Sequence, residues 1–204
     1  LDITTHEIAD LLLGGVLSAG PNRLTAAGRK GIPQVLAPGG LDLINFGPKD
    51  TVPDYYLKQI GAPGRALYEH NPNVTCVSVL PEEAHDIAVH MAQKLTAAES
   101  PAVVCVPMRG WGACDTREAN KDLGWAGPGC GPSWIPDPAR PEWSLRSKCF
   151  VDGLRGTLDL RKPNLEVLLV DRHMNEPEFA DLMAGLLIDM LAGKWRKGSC
   201  AGME

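Results

Sequence analysis

The sequence predicts an α/β domain of the Rossmann-like class, with three layers built on a mainly parallel sheet. Three observations predict it. Strand-like segments alternate with segments of helical periodicity, the pattern of successive βα units. Two strand segments, Ala102–Val106 and, but for Glu166, Leu165–Val170, are apolar runs, as strands covered on both faces are. Polar, charged and glycine residues stand directly after the strands, where open parallel sheets bind their ligands.

From the N-terminus, Leu1–Ile3 reads as the end of a strand feeding a helix over Thr5–Leu13. Thr4 and Glu7 have capping-box spacing, and Gly14 and Gly15 stop the helix. A turn at Ser18–Pro21 and a second helix over Asn22–Arg29 follow. Ile32–Ala37 is a short apolar strand ending on Pro38, Gly39 and Gly40. Residues 41–64 show no regular period beyond a helical turn near Tyr55. Arg65–Tyr68 is a further strand, ending at Glu69–Pro72, and Val74–Leu80 alternates and is β-branched, as strands are. Pro81 opens a helix at its first position, with Ala84, Ile87, Ala88, Met91 and Leu95 at helical spacing. The Ala102–Val106 strand leads into a long connection, Trp111–Trp143, which holds four of the five tryptophans and so has something to bury. A helix over Ser144–Asp159 carries Leu145, Val151, Leu154 and Leu158 along one side. After the Leu165–Val170 strand, Asn175 is expected to cap a last helix, with Pro177 and Glu178 in its first turn, running to about Trp195. Residues 1–196 then form one domain, and 197–204 a disordered tail.

Composition narrows the function classes. A net charge of -5 excludes a strongly basic nucleic-acid footprint. No run reaches the roughly 18 apolar residues of a membrane span, since Asp189 interrupts Leu182–Ala192, and no secretory signal opens the chain. The six cysteines form no C-x-x-C pair and match no zinc module, so reduced thiols and a cytoplasmic location are expected. The start at Leu1, straight into strand and helix, suggests a piece of something longer, with part of its site elsewhere.

The candidate site is the rim formed by the strand ends. Gly14, Gly15, Ser18 and Gly20 are placed near a helix start, and Pro38, Gly39 and Gly40 after a strand; glycines there let backbone N–H groups approach a phosphate. The competing reading is a helix stop and a tight turn, and there is no G-x-G-x-x-G or Walker motif. Arg23 and Arg109 have the fork geometry for an anion, against a surface salt bridge as the common fate of an arginine. His70 with Asn71 and His173 with Asp171 fall in strand-end loops, where a histidine serves as general base or packs the loop. Gly110 and Trp111 complete the ligand-binding set, and His70, Asp171 and His173 are the catalytic candidates. Asp171, His173 and Glu176 give too few ligands on one turn for a metal, and Cys114 has no evident base beside it.

At these same residues the chain resembles the Tm-one-like ATP-binding domain family, an uncharacterised protein family that includes the N-terminal region of the tomato mosaic virus resistance protein. The matching stretches are LDITTHEIAD (Leu1–Asp10), GIPQVLAPGGLDLINFG (Gly31–Gly47), HNPNVT (His70–Thr75), PEE (Pro81–Glu83), PMRGWGACD (Pro107–Asp115) and DRHMNEPEFA (Asp171–Ala180). They run in family order over nearly the whole chain. The resemblance implies the second, C-terminal member of two Rossmann-like subdomains, with an N-terminal partner subdomain in the same protein, ATP (with Mg2+) as ligand, and a homo-oligomer. Two departures stand out. Ser78, Val79 and Leu80 replace the family's Arg-Thr-Thr before Pro81, which removes an anion contact, and the loop from Arg117 to Trp143 is longer and richer in Gly and Trp. Three readings of function follow: a nucleotide-binding subdomain, an enzyme on a small phosphorylated or carboxylated metabolite, and an interaction module using the Trp-rich loop.

Overall fold

The computed structural model describes residues 1–200 of the chain. β1 (Asp2–Thr4) leads into α1 (Glu7–Leu13) and the short α2 (Ala26–Arg29). β2 (Gln34–Gly39) is followed by β3 (Leu43–Phe46), a 3-10 turn at Lys49–Thr51 and α3 (Asp54–Leu57). β4 (Leu67–Asn71) and β5 (Val74–Ser78) precede α4 (Pro81–Thr96) and β6 (Ala102–Pro107). After the Trp-rich loop come α5 (Leu145–Thr157), β7 (Leu165–Val170) and α6 (Pro177–Leu191). The strands make two sheets: a parallel one in the order β1-β2-β6-β7 and an antiparallel one in the order β3-β5-β4.

The apolar runs of β6 and β7 are explained by burial on both faces. Val104 and Val106 of β6 point into a core shared with α1, α4 and α5, where Ile8, Ile87, Met91, Phe150 and Leu154 are buried. Val103 and Cys105 point the other way, onto Phe179, Met183, Leu186 and Met190 of α6 and onto Trp195. Each fully buried Val or Leu here stabilises the fold by roughly 1.5–3 kcal/mol. The result is a three-layer α/β fold, as expected, with α1, α4 and α5 on one side of the parallel sheet and α6 on the other. The antiparallel sheet adds Ile44, Phe46 and Val77 to the first core, joined by Val79 just past β5.

The start of α4 also follows from its sequence. Pro81 occupies the first turn, where its missing N–H costs nothing, and the Glu83 carboxylate accepts the Leu80 N–H at 2.8 Å. Glu83 also receives Arg65 at 2.6 Å, whose guanidinium is buried and donates to the Ser78 carbonyl as well.

Several local expectations need correction. Thr4 does not cap α1: it is the last residue of β1, and His6 occupies the cap position without a side-chain bond, while Thr5 Oγ1 donates to the Ala37 carbonyl at 3.0 Å and ties the end of β1 to β2. The helix expected over Asn22–Arg29 is confined to Ala26–Arg29, and the strand expected over Ile32–Ala37 is shifted to Gln34–Gly39. Residues 41–64 hide β3, four residues that pair with β5. Arg65 lies outside the strand expected over Arg65–Tyr68, and β4 begins at Leu67 and reaches Asn71. Glu176, not Asn175, stands at the cap position of α6, and Asn175 instead donates Nδ2–H to the Leu123 carbonyl at 3.0 Å. Residues 197–200, expected without structure, form a turn, with Gly198 N–H on the Glu166 carboxylate at 2.9 Å; the rest of that tail lies outside the described residues. Among the described residues no helix is long and apolar enough to cross a membrane.

Candidate functional site

The parallel sheet brings the ends of β6 and β7 side by side, and their loops are zipped together. Arg109 N–H donates to the Arg172 carbonyl at 3.0 Å, and Met174 N–H to the Gly110 carbonyl at 3.1 Å. Above this backbone pairing, Arg109 meets Asp171 through two parallel bonds, Nε and Nη2 each at 2.8 Å. The Trp143 indole adds a third bond to Asp171, also at 2.8 Å. The Arg109 guanidinium, helped by that indole, holds the Asp171 carboxyl below the usual carboxylate range; the carboxylate in turn raises Arg109. Both groups are half-exposed, so the pair orients the rim more than it stabilises the fold.

His173 sits beneath this pair and is 1% exposed. Its Nδ1 accepts the Asn175 N–H at 3.2 Å, and its Nε2 stands 3.3 Å from the Gly112 carbonyl. Burial pushes its pKa down, so the neutral ring donates from Nε2 and pins the Gly110–Gly112 turn. Both nitrogens are thus engaged with backbone. Gly110 makes that turn possible: its φ is +117°, and a Cβ there would fall 1.7 Å from the Asp115 carbonyl oxygen. Trp111 turns inward, edge-on to Phe150 with ring centroids 5.0 Å apart. Outside the pinned turn lies a small cleft of about 140 Å³, lined by Arg109, Arg117, Glu118, Glu142, His173 and Glu176. Arg117 is exposed there and has no ion-pair partner among the described residues.

The other predicted site residues fall elsewhere. Gly14, Gly15, Ser18 and Gly20 lie past the C-terminal end of α1, not near a helix start. Leu17 N–H folds back onto the Asp10 carboxylate there, and the helix dipole at that end favours cations. Arg23 is committed to Asp2 at 2.6 and 2.8 Å and to Glu7 at 3.4 Å. Pro38 and Gly39 are the last residues of β2, and Gly40 turns the chain out of it. A Cβ on Gly39 would sit 2.4 Å from the Ile3 carbonyl and 2.8 Å from Met174 Sδ. Gly39→Ala is therefore expected to push β1 away and to cost about 1–3 kcal/mol, read as a lower urea midpoint. His70 and Asn71 are not in a strand-end loop of the parallel sheet. They are exposed on β4, an edge strand of the antiparallel sheet, and are no part of the rim cleft.

Sequence reading missed a second charged cluster below the rim. Arg146, on the first turn of α5, is 1% exposed, with Nη1 2.6 Å from Asp115. Its Nε donates to the Val79 carbonyl at 2.8 Å and its Nη2 to the Ser133 carbonyl at 3.3 Å. Ser144 donates to Asp115 at 3.0 Å. Asp42, 1% exposed, faces the same group, yet neither of its oxygens has a hydrogen-bond donor among the described residues. Burial pushes its pKa up to about 6, with Arg146 pulling it down and Asp115 pushing it further up. The one signal available was position: Asp42 stands two residues after Gly40, in a strand-end loop. Cys114, nearby, is pushed up to about 12, chiefly by burial, which leaves it a thiol. Among the described residues no group of three or more His, Cys, Asp or Glu can hold a metal.

The chain's residues 1–122 match the family model described as the C-terminal domain of an uncharacterised protein family, UPF0261. A UPF0261 protein of Clostridium tetani is 36% identical over 191 residues, 94% of this chain and 40% of that protein. One of Mesorhizobium japonicum is 33% identical, over 92% of this chain and 40% of that protein. The tomato (Solanum lycopersicum) ToMV resistance protein Tm-1(GCR237) is 31% identical over 204 residues, 100% of this chain and 23% of that protein.

Proposed function

The chain belongs to the uncharacterised protein family UPF0261 and spans about 40% of the length of the bacterial relatives it matches; from that premise we propose that it is one half of a nucleotide-binding protein, holding ATP with Mg2+ at the ends of β6 and β7. The observation that carries this reading is the cleft beside the Arg109–Asp171 pair, with the unpaired Arg117 on its wall. At about 140 Å³ it is smaller than the 300–1,000 Å³ of ordinary ligand pockets. It suits a phosphate group with the rest of the nucleotide held by an N-terminal subdomain of the same protein. A larger cleft, of about 730 Å³, runs along α6, but it sets four carboxylates, Asp171, Glu178, Asp181 and Asp189, against the single Arg172, where the rim cleft sets two arginines against three carboxylates. In the same reading the protein is cytoplasmic and self-associates, and binds neither nucleic acid nor membrane.

Thermal-shift and calorimetric titration with ATP, ADP and Mg2+ tests it. Nucleotide at a hundred times its dissociation constant is expected to stabilise the chain by about 2.7 kcal/mol. Arg117→Ala and Arg109→Ala are expected to weaken that binding. No shift, both in this chain and in one carrying the N-terminal subdomain as well, overturns the reading. Turnover of a phosphorylated metabolite in the same assays would favour an enzyme. Trp125 and Trp134, each only half-buried in the long loop, favour an interaction module as the second reading. Their replacement by Ala would then abolish a partner contact and leave nucleotide binding intact.

A further inference from the structure

The guanidinium of Arg109 already holds an anion, and that anion comes from the chain itself. Nε and Nη2 each donate to one oxygen of the Asp171 carboxylate at 2.8 Å. This is the parallel two-bond geometry by which arginine takes a carboxylate or a phosphate. Nη1 has no acceptor among the described residues. Arg109 lines the rim cleft, whereas Asp171 lines the neighbouring cleft along α6. The carboxylate therefore reaches the fork from behind the cleft wall. It stays ionised, because Arg109, the Trp143 indole and Arg172 hold its pKa down.

The grip is one that a ligand can break. The two side chains are 43% and 37% exposed, and ion pairs at such exposure hold weakly. On release, Asp171 keeps the Trp143 indole N–H at 2.8 Å and stands beside Arg172. The other carboxylates near Arg109 are Glu176 and Glu142. Glu176 is engaged by Arg172 at 3.3 Å and by the His173 N–H at 2.7 Å, and Glu142 makes no bond to the fork. We propose that Asp171 is an internal competitor at the anion site, occupying the Arg109 fork until a phosphoryl group displaces it and so excluding ligands that offer only a carboxylate. A ligand carboxylate brings the charge and shape that Asp171 already supplies, and Asp171 is tethered, at an effective concentration of order millimolar. A terminal phosphoryl group brings a charge of about −1.5 to −2 and three acceptor oxygens, enough to take the fork, Nη1 and Arg117 together. The inference rests on the nucleotide reading above and names what that site selects.

Calorimetric titration with ADP and with malonate reads the competition, in this chain and in one carrying the N-terminal subdomain as well. Asp171→Asn keeps the side chain's shape and an oxygen for the Trp143 indole, so the fold should hold, which the thermal midpoint checks. The variant should bind ADP roughly tenfold tighter than the parent, the effect of a freed charge-assisted fork. Glu142→Gln controls for charge alone, since it removes a carboxylate near Arg109 that is not in the fork, and it should gain no more than about threefold. Malonate should bind Asp171→Asn and not the parent. An ADP affinity that falls or stays level in Asp171→Asn, or rises only as far as in Glu142→Gln, overturns the competitor and leaves the nucleotide reading standing. Malonate bound by the parent as tightly as ADP does the same. ADP bound by neither the parent nor Asp171→Asn, in either length of chain, overturns both.

Discussion

Replacing Arg146 with Ala is expected to destabilise the protein by about 3–5 kcal/mol, the cost of breaking a buried ion pair from one side. The guanidinium satisfies three separate groups at once: the Asp115 carboxylate at 2.6 Å, the Val79 carbonyl at 2.8 Å and the Ser133 carbonyl at 3.3 Å. Those partners come from the loop after β6, the strand end before α4 and the far side of the Trp-rich loop. Removing the fork leaves two buried carboxyls, Asp42 and Asp115, facing one another with no cation between them. For a chain of this size the loss should lower the thermal midpoint by roughly 10 °C. Arg146→Lys should recover only part of it, because an ammonium is a point charge and does not reproduce the planar fork. The check is equilibrium urea unfolding of the three proteins. A loss under about 1 kcal/mol for Arg146→Ala would mean that the cluster is solvated in solution and does not hold the loop.

Asp42→Asn is expected to stabilise the protein above neutral pH. Asp42 lies against Arg146 and Asp115, with the Cys76 and Cys114 thiols also near it, so two carboxyls share one guanidinium. With no donor of its own, Asp42 is the carboxyl that keeps its proton, and its folded-state pKa is about 6, above the ordinary 3.8. The sign follows from linkage. A group whose pKa rises on folding contributes fully below its unfolded pKa, and that contribution is lost as pH climbs through about 6. A shift of about two units corresponds to about 3 kcal/mol lost by pH 8. Asparagine has nearly the same shape and no charge to bury, so parent and variant should agree in stability near pH 4, diverge between about pH 4 and 6 and keep a constant gap above that, the variant being the more stable. Urea unfolding at pH 4, 5, 6 and 8 measures the divergence. A parent at least as stable as the variant at pH 8 would show that Asp42 is ionised in the fold and paired with Arg146.

Both clusters show how far the chain could be read before folding. β6 and β7 were legible because burial on both faces removes alternation and leaves an apolar run, and α4 because Pro81, Glu83 and the spacing of Ala84 to Leu95 agree with one another. The rim was legible in part. Arg109, Gly110, Asp171 and His173 follow strands that happen to be neighbours, so the rule that ligands gather at strand ends picked out residues that lie together in the fold without any knowledge of strand order. His70 misled the same rule, because Asn71–Asn73 closes an antiparallel hairpin rather than ending a parallel strand, and edge pairing of two short strands leaves no mark in the local pattern. Asn175 likewise has the side chain of a helix cap, yet its Nδ2–H goes to the Leu123 carbonyl across the rim.

By itself, then, the sequence determined the class of fold, the parallel order of strand and helix, and the band of polar residues at the strand ends, all of which are written in local periodicity and in the chemistry of single residues. Tertiary structure alone decided which charges meet. Arg23 went to Asp2, Arg109 to Asp171 and Arg146 to Asp115. Asp42 was left without a donor, and His173 was pinned between two backbone groups. Those outcomes depend on distances between residues far apart in the chain. A charge's pKa and partner are set by what surrounds it in three dimensions, and nothing in the residues next to it in sequence carries that information.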